Sequence, residues 1–86
     1  MDPSTSKLRV DRSLDVRGVE HPAAYHKAVA ELQPMAPQEI LELQIDEGEA
    51  LRAIPYALRA EGHEILISEP SNPGVRLLIR KREAIP

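Results

Sequence analysis

The chain contains no cysteine. Disulfides, thiolate metal sites and a sulfur nucleophile of its own are therefore excluded. Phenylalanine and tryptophan are also missing, and Tyr25 and Tyr56 are the only aromatic residues. Leu, Ile, Val and Ala must supply nearly all the apolar volume, and stacking on unpaired bases has few rings to work with. No apolar run approaches the ~20 residues that span a bilayer. The opening Met1-Asp-Pro-Ser-Thr-Ser6 lacks the basic and apolar regions of a signal peptide. A cytoplasmic protein with no membrane partner is expected. The charges nearly cancel as well: the formal net charge is -3, which gives no global pull toward nucleic acid or anionic lipid.

The residues that are present describe a small soluble domain. Hydrophobic residues make up 42% and charged residues 29% of 86 positions, a composition that folds rather than one that stays disordered. A chain this short buries only about 60% of its unfolded surface, so its core must be economical. Residues 1–11 are read as a flexible leader and 12–83 as one domain, with an extra extended piece around Leu8 and Val10 left open.

Leu14 and Val16 alternate with Ser13 and Asp15, so the first strand is placed at 12–16. Gly18 supplies a turn, and a helix is expected from Pro22 to about Gln33. Proline suits the first helical position; that would make His21 the N-cap, where Ser, Thr, Asp or Asn is the usual choice. Tyr25, Ala28, Val29 and Leu32 form the apolar stripe of this helix, and Pro34 and Pro37 stop it. From Glu39 to Asp46 the alternation is clean, with Leu41, Leu43 and Ile45 inward. A second helix should lie between about Glu49 and Glu61; Pro55 argues for a true start near Ile54. Gly62 caps it. Glu64–Ser68 reads as the third strand, with Ile65 and Ile67 facing the core, and Val75–Arg82 as the fourth, with Val75, Leu77 and Ile79 inward. The order is βαβαββ. Right-handed crossovers then give an α+β, two-layer sandwich: a four-stranded mixed sheet with two helices on one face.

Several fragments resemble the TusA/SirA family of small sulfur carriers. Leu14-Asp15-Val16-Arg17-Gly18-Val19 is similar to the family's opening Leu-Asp-x-x-Gly-Leu. His21-Pro22-Ala23-Ala24 stands where the family has Cys-Pro-x-Pro at a helix start. Pro37-Gln38-Glu39, Ala53-Ile54-Pro55, Gly62-His63 and Ile79-Arg80-Lys81 match the family's Pro-Gly-Glu, Asp-Ile-Pro, Gly-His and Ile-Arg-Lys. The resemblance covers roughly residues 13–82 and implies the same two-layer sandwich. In the family the cysteine carries a persulfide at a helix N-terminus, a place that favours a thiolate. Here that position is His21, the second proline is Ala24 and the aspartate is Ala53. Imidazole forms no persulfide, so sulfur transfer through a thiol of this chain is excluded.

His21 has two readings. It is a neutral imidazole usable as a base or hydrogen-bond partner, or a polar cap left where a cysteine once stood. No second catalytic group can be named, which leaves a His21-dependent hydrolase or isomerase as the least favoured function. A metal site is not expected, because His21 and His26 are five residues apart and diverge on a helix, while His63 belongs at the opposite sheet end. No cofactor is expected either. Val19, His21, Pro22, Ala23, Ala24, Ile54 and Pro55 would form a small, mostly apolar patch for a protein partner. Arg76, Arg80 and Arg82 share a face of the fourth strand and would form either a basic stripe or one paired with Glu42, Asp46 or Glu64.

The leading expectation is a non-catalytic binding or regulatory module that docks partners of sulfur-relay or redox metabolism. The alternative is an RNA-binding sandwich that uses the arginine face.

Overall fold

The computed structural model describes residues 9–83, so most of the expected leader lies outside the described residues. Six elements follow in the order β1 (Arg12–Asp15), α1 (Ala23–Leu32), β2 (Ile40–Ile45), α2 (Glu49–Ala60), β3 (Glu64–Pro70) and β4 (Val75–Arg80). The sheet order is β1-β2-β4-β3. β1 runs parallel to β2, and β4 lies between β2 and β3, antiparallel to both. This is the mixed four-stranded sheet expected from the sequence.

Both helices cover one face. Ala24, Ala28 and Leu32 of α1 and Ala50, Ile54 and Leu58 of α2 join Leu41, Leu43, Ile45, Leu77 and Ile79 in one core. On each helix the buried residues fall at i, i+4 and i+8, the spacing that places side chains along one side. Alanine at two of the three positions in α1 lets that helix come close to the sheet. Tyr25 and Val29 flank this line, only partly buried. The two helices are tied by the Tyr25 hydroxyl, which donates to the Glu61 carboxylate.

α2 departs from expectation. It begins at Glu49 and runs through Pro55 instead of starting near Ile54. An interior proline removes one backbone hydrogen bond and costs about 3 kcal/mol. Burial of Ala50, Ile54 and Leu58 on one line offsets that cost, because a later start would leave Ala50 without its place in the core.

β3 departs as well. Ile65 pairs with Ile79, but Ile67 pairs with Leu78, so the register slips by one residue at Leu66. A bulge of this kind reverses the facing of every later residue on the strand. Ile67 therefore lies on the open face instead of the core side. Leu78, its neighbour there, is still only 2% exposed. Arg76 and Arg80 bracket Leu78 on the same face, and arginine stems held by ion pairs cover apolar surface well.

At the lower sheet end, the Lys81 ammonium donates to the Leu32 carbonyl at 2.7 Å and caps the end of α1. His63 is buried there too, and its Nδ1 accepts the Arg82 N–H at 3.2 Å. β4 stops at Arg80, so Arg82 does not share a strand face with Arg76 and Arg80. Its stem lies beside Gly62.

Candidate functional site

β1 and β2 end side by side, so the loops that lead into α1 and α2 meet at one end of the sheet. Strand ends followed by helix starts are common binding sites in α/β layers. The first loop turns at Gly18, whose φ of +84° suits glycine. Its N–H donates to the Asp46 carboxylate at 2.8 Å, which joins the two loops. The Asp15 carboxylate accepts the Arg17 backbone N–H and the Arg17 guanidinium. Those bonds to Arg17 hold its pKa at about 2. Arg17 also donates to the Pro73 carbonyl at 3.1 Å, which ties the β3–β4 turn to this end.

The loops enclose a shallow cleft of about 170 Å³ lined by Val19, Glu20, His21, Asp46, Glu47, Glu49 and Ala50. His21 is half-buried, and its Nδ1 is shielded from solvent without a hydrogen-bond partner among the described residues. His21 is not the N-cap. α1 starts at Ala23, Pro22 occupies the cap position with φ −93° and ψ 2°, and no side chain caps the helix. Pro22 lies outside the helical well, so the regular helix begins one residue later than the sequence suggested. Among the described residues no group of three or more His, Asp or Glu side chains is arranged to hold a metal ion. The lining sets the carboxylates of Glu20, Asp46, Glu47 and Glu49 around the His21 imidazole, so the cleft gathers hydrogen-bonding groups and negative charge about one polar ring.

Of the seven residues expected to form a docking patch, Val19 and His21 line the cleft, and Pro22 and Ala23 are exposed beside it. Ala24 and Ile54 are 0% exposed and belong to the core, so neither is surface. Ala24 opens the i, i+4, i+8 line that continues through Ala28 and Leu32, and Ile54 is the middle of the matching line on α2, so both side chains face the sheet. Pro55 is half-buried in the middle of α2 instead of at its beginning. Sequence reading missed Glu20, Asp46, Glu47 and Glu49. Asp46, Glu47 and Glu49 lie where β2 passes into α2, and the βαβ topology puts that connection beside the His21 loop.

The family model for sulfurtransferase TusA matches residues 12–81. The chain belongs to the TusA family. A Thermotoga maritima protein provisionally named a sulfur carrier is 38% identical over 68 residues, covering 79% of this chain and 86% of its own length. An Archaeoglobus fulgidus protein with the same name is 30% identical over 77 residues, 88% of each chain. Within this TusA framework the thiol is absent, and His21 takes the place that the motif resemblance gives to the family's cysteine. Among the described residues no helix is long and apolar enough to cross a membrane.

Proposed function

We propose that this TusA-family chain is a binding member that docks protein partners of sulfur relay at its His21 end and carries no sulfur itself. One observation carries the reading. The loops around the family's cysteine position are held together by the Gly18–Asp46 and Arg17–Pro73 bonds, yet the chain has no thiol. A scaffold kept in order around a residue that cannot form a persulfide fits recognition better than transfer. Such a chain would act as an adaptor or as a competitor of the cysteine-bearing carriers.

The test is competition. A persulfide-bearing donor protein is allowed to load a cysteine-bearing TusA-family carrier in the presence of excess wild-type chain. Slower loading is expected, and His21→Ala should relieve it. In parallel His21→Cys should gain one sulfur atom by mass: its thiolate attacks the outer sulfur of the donor persulfide, the donor S–S bond breaks, and the donor leaves as a thiolate. Unchanged loading together with an inert His21→Cys variant would sink the proposal.

The RNA-binding alternative has less support. Arg76 is held by Glu42 at 2.5 Å and Glu69 at 2.7 Å, and Arg80 by Glu64 at 3.0 Å. The hydrogen bond from Arg76 keeps the Glu42 carboxyl below the usual range, so the pair stays charged. With Arg82 off the strand, the expected arginine stripe is largely neutralised by its own carboxylates.

A further inference from the structure

The outer face of α2 contrasts with the sheet. Arg12, Arg17, Arg76 and Arg80 all make ion pairs. Arg52 and Arg59 are exposed on α2, and neither makes an ion pair or a side-chain hydrogen bond among the described residues. Between them stands Tyr56, 76% exposed. Arg52, Tyr56 and Arg59 are spaced i, i+4 and i+7, which puts them on one stripe opposite the buried Ala50, Ile54 and Leu58. The other helical neighbours of Tyr56, Ala53 and Ala60, are too small to cover its ring. Among the described residues no guanidinium stacks on that ring.

Nothing in the fold needs this arrangement. An exposed aromatic ring adds no core, and two unpaired guanidiniums add no internal bond. Tyrosine and arginine are, however, the residue types that dominate binding energy at protein interfaces. The guanidinium fork pairs with carboxylates through two parallel hydrogen bonds, and a tyrosine flanked by alanines offers a flat apolar surface with a polar tip.

We propose that the Arg52–Tyr56–Arg59 stripe docks an acidic segment of a protein partner. The two arginines are seven residues apart, about 10 Å along the helix. The fitting segment therefore carries carboxylates about two helical turns apart, with an apolar residue between them to meet the Tyr56 ring. Charge complementarity favours a protein over a nucleic acid. The stripe holds two cations, at Arg52 and Arg59. Sequence-independent binding to a phosphate backbone typically neutralises about 6–10 phosphates, which this surface cannot do. The stripe is separate from the His21 cleft and stands whether or not that cleft binds sulfur-relay proteins.

The proposal is tested with a synthetic helical peptide that has glutamates two turns apart flanking a leucine. A lysine-for-glutamate version and a single-stranded RNA oligonucleotide serve as alternatives. Titration followed by amide chemical shifts should place the acidic peptide on α2, with binding that weakens as salt is raised. Arg52→Glu with Arg59→Glu should reverse the preference toward the lysine peptide. Tyr56→Ala should weaken the acidic peptide about tenfold, and His21→Ala should leave the affinity for that peptide as it is. All of these positions are exposed or outside the core, so the fold survives the substitutions. Failure of the acidic peptide to bind, equal binding of both peptides, shifts located elsewhere, or capture of the RNA in preference to the acidic peptide would each overturn the proposal.

Discussion

The Gly18 N–H donates to the Asp46 carboxylate at 2.8 Å, and this bond joins the loop that enters α1 to the loop that enters α2. Neither loop has another backbone-to-carboxylate link to its neighbour among the described residues. The two sides of the candidate cleft are therefore set relative to each other by a charge-assisted bond at a solvent-facing position. Asp46→Ala should lower stability by about 1 kcal/mol, the net worth of an ordinary intramolecular hydrogen bond, because solvent at this exposed position takes away most of the advantage of the charge. A fall in the urea midpoint with an unchanged denaturant slope is the expected reading. Amide exchange at Gly18 should also speed up. An unchanged midpoint would mean that the loops are held by packing alone.

His63 gives the fold a pH dependence of definite sign. Its folded pKa is lowered, first by burial and then by the charges of Lys81 and Arg82, against an opposing pull from Glu61. The unfolded chain therefore takes up the proton first as pH falls. The stability that depends on neutral His63 is complete above the ordinary imidazole range and is lost as pH drops through that range toward the folded value. The neutral ring also accepts the Arg82 N–H, a bond that protonation of Nδ1 removes. Urea unfolding measured from about pH 8 to about pH 5 should show declining stability, and His63→Gln should flatten the decline. An equally steep decline in the variant would assign it to other groups.

Two glycines test how closely the chain passes itself. A Cβ on Gly74 would lie 2.3 Å from the Ile45 carbonyl oxygen, whereas one on Gly48 would meet nothing within 4 Å. Both have φ near +90°, so both substitutions carry backbone strain of about 1–3 kcal/mol. Gly74→Ala should cost distinctly more than Gly48→Ala, because the β3–β4 turn must also move away from the end of β2. Thermal midpoints of the two variants make the comparison. Equal losses would mean that the turn yields freely.

The local patterns of the chain were enough to determine its elements and their order. The alternation of Leu41, Leu43 and Ile45 needs only a strand's period of two, and the i, i+4 lines of the helices need only the turn of a helix. The family fragments were legible for the same reason: they are short, contiguous and set at turns. Three features depended on tertiary structure. The bulge at Leu66 sends Ile67 to the open face, because β3 must satisfy its pairing with β4 on both sides of the slip. Pro55 sits inside α2, because the gain from burying Ala50, Ile54 and Leu58 together exceeds a local loss that sequence rules charge in full. The make-up of the cleft was decided when β1 and β2 paired and brought Asp46, Glu47 and Glu49 beside His21. Periodicity reports which way a residue faces along its own element. Which residues meet across elements is an energy of the whole packed chain, and it exists only once the chain has folded.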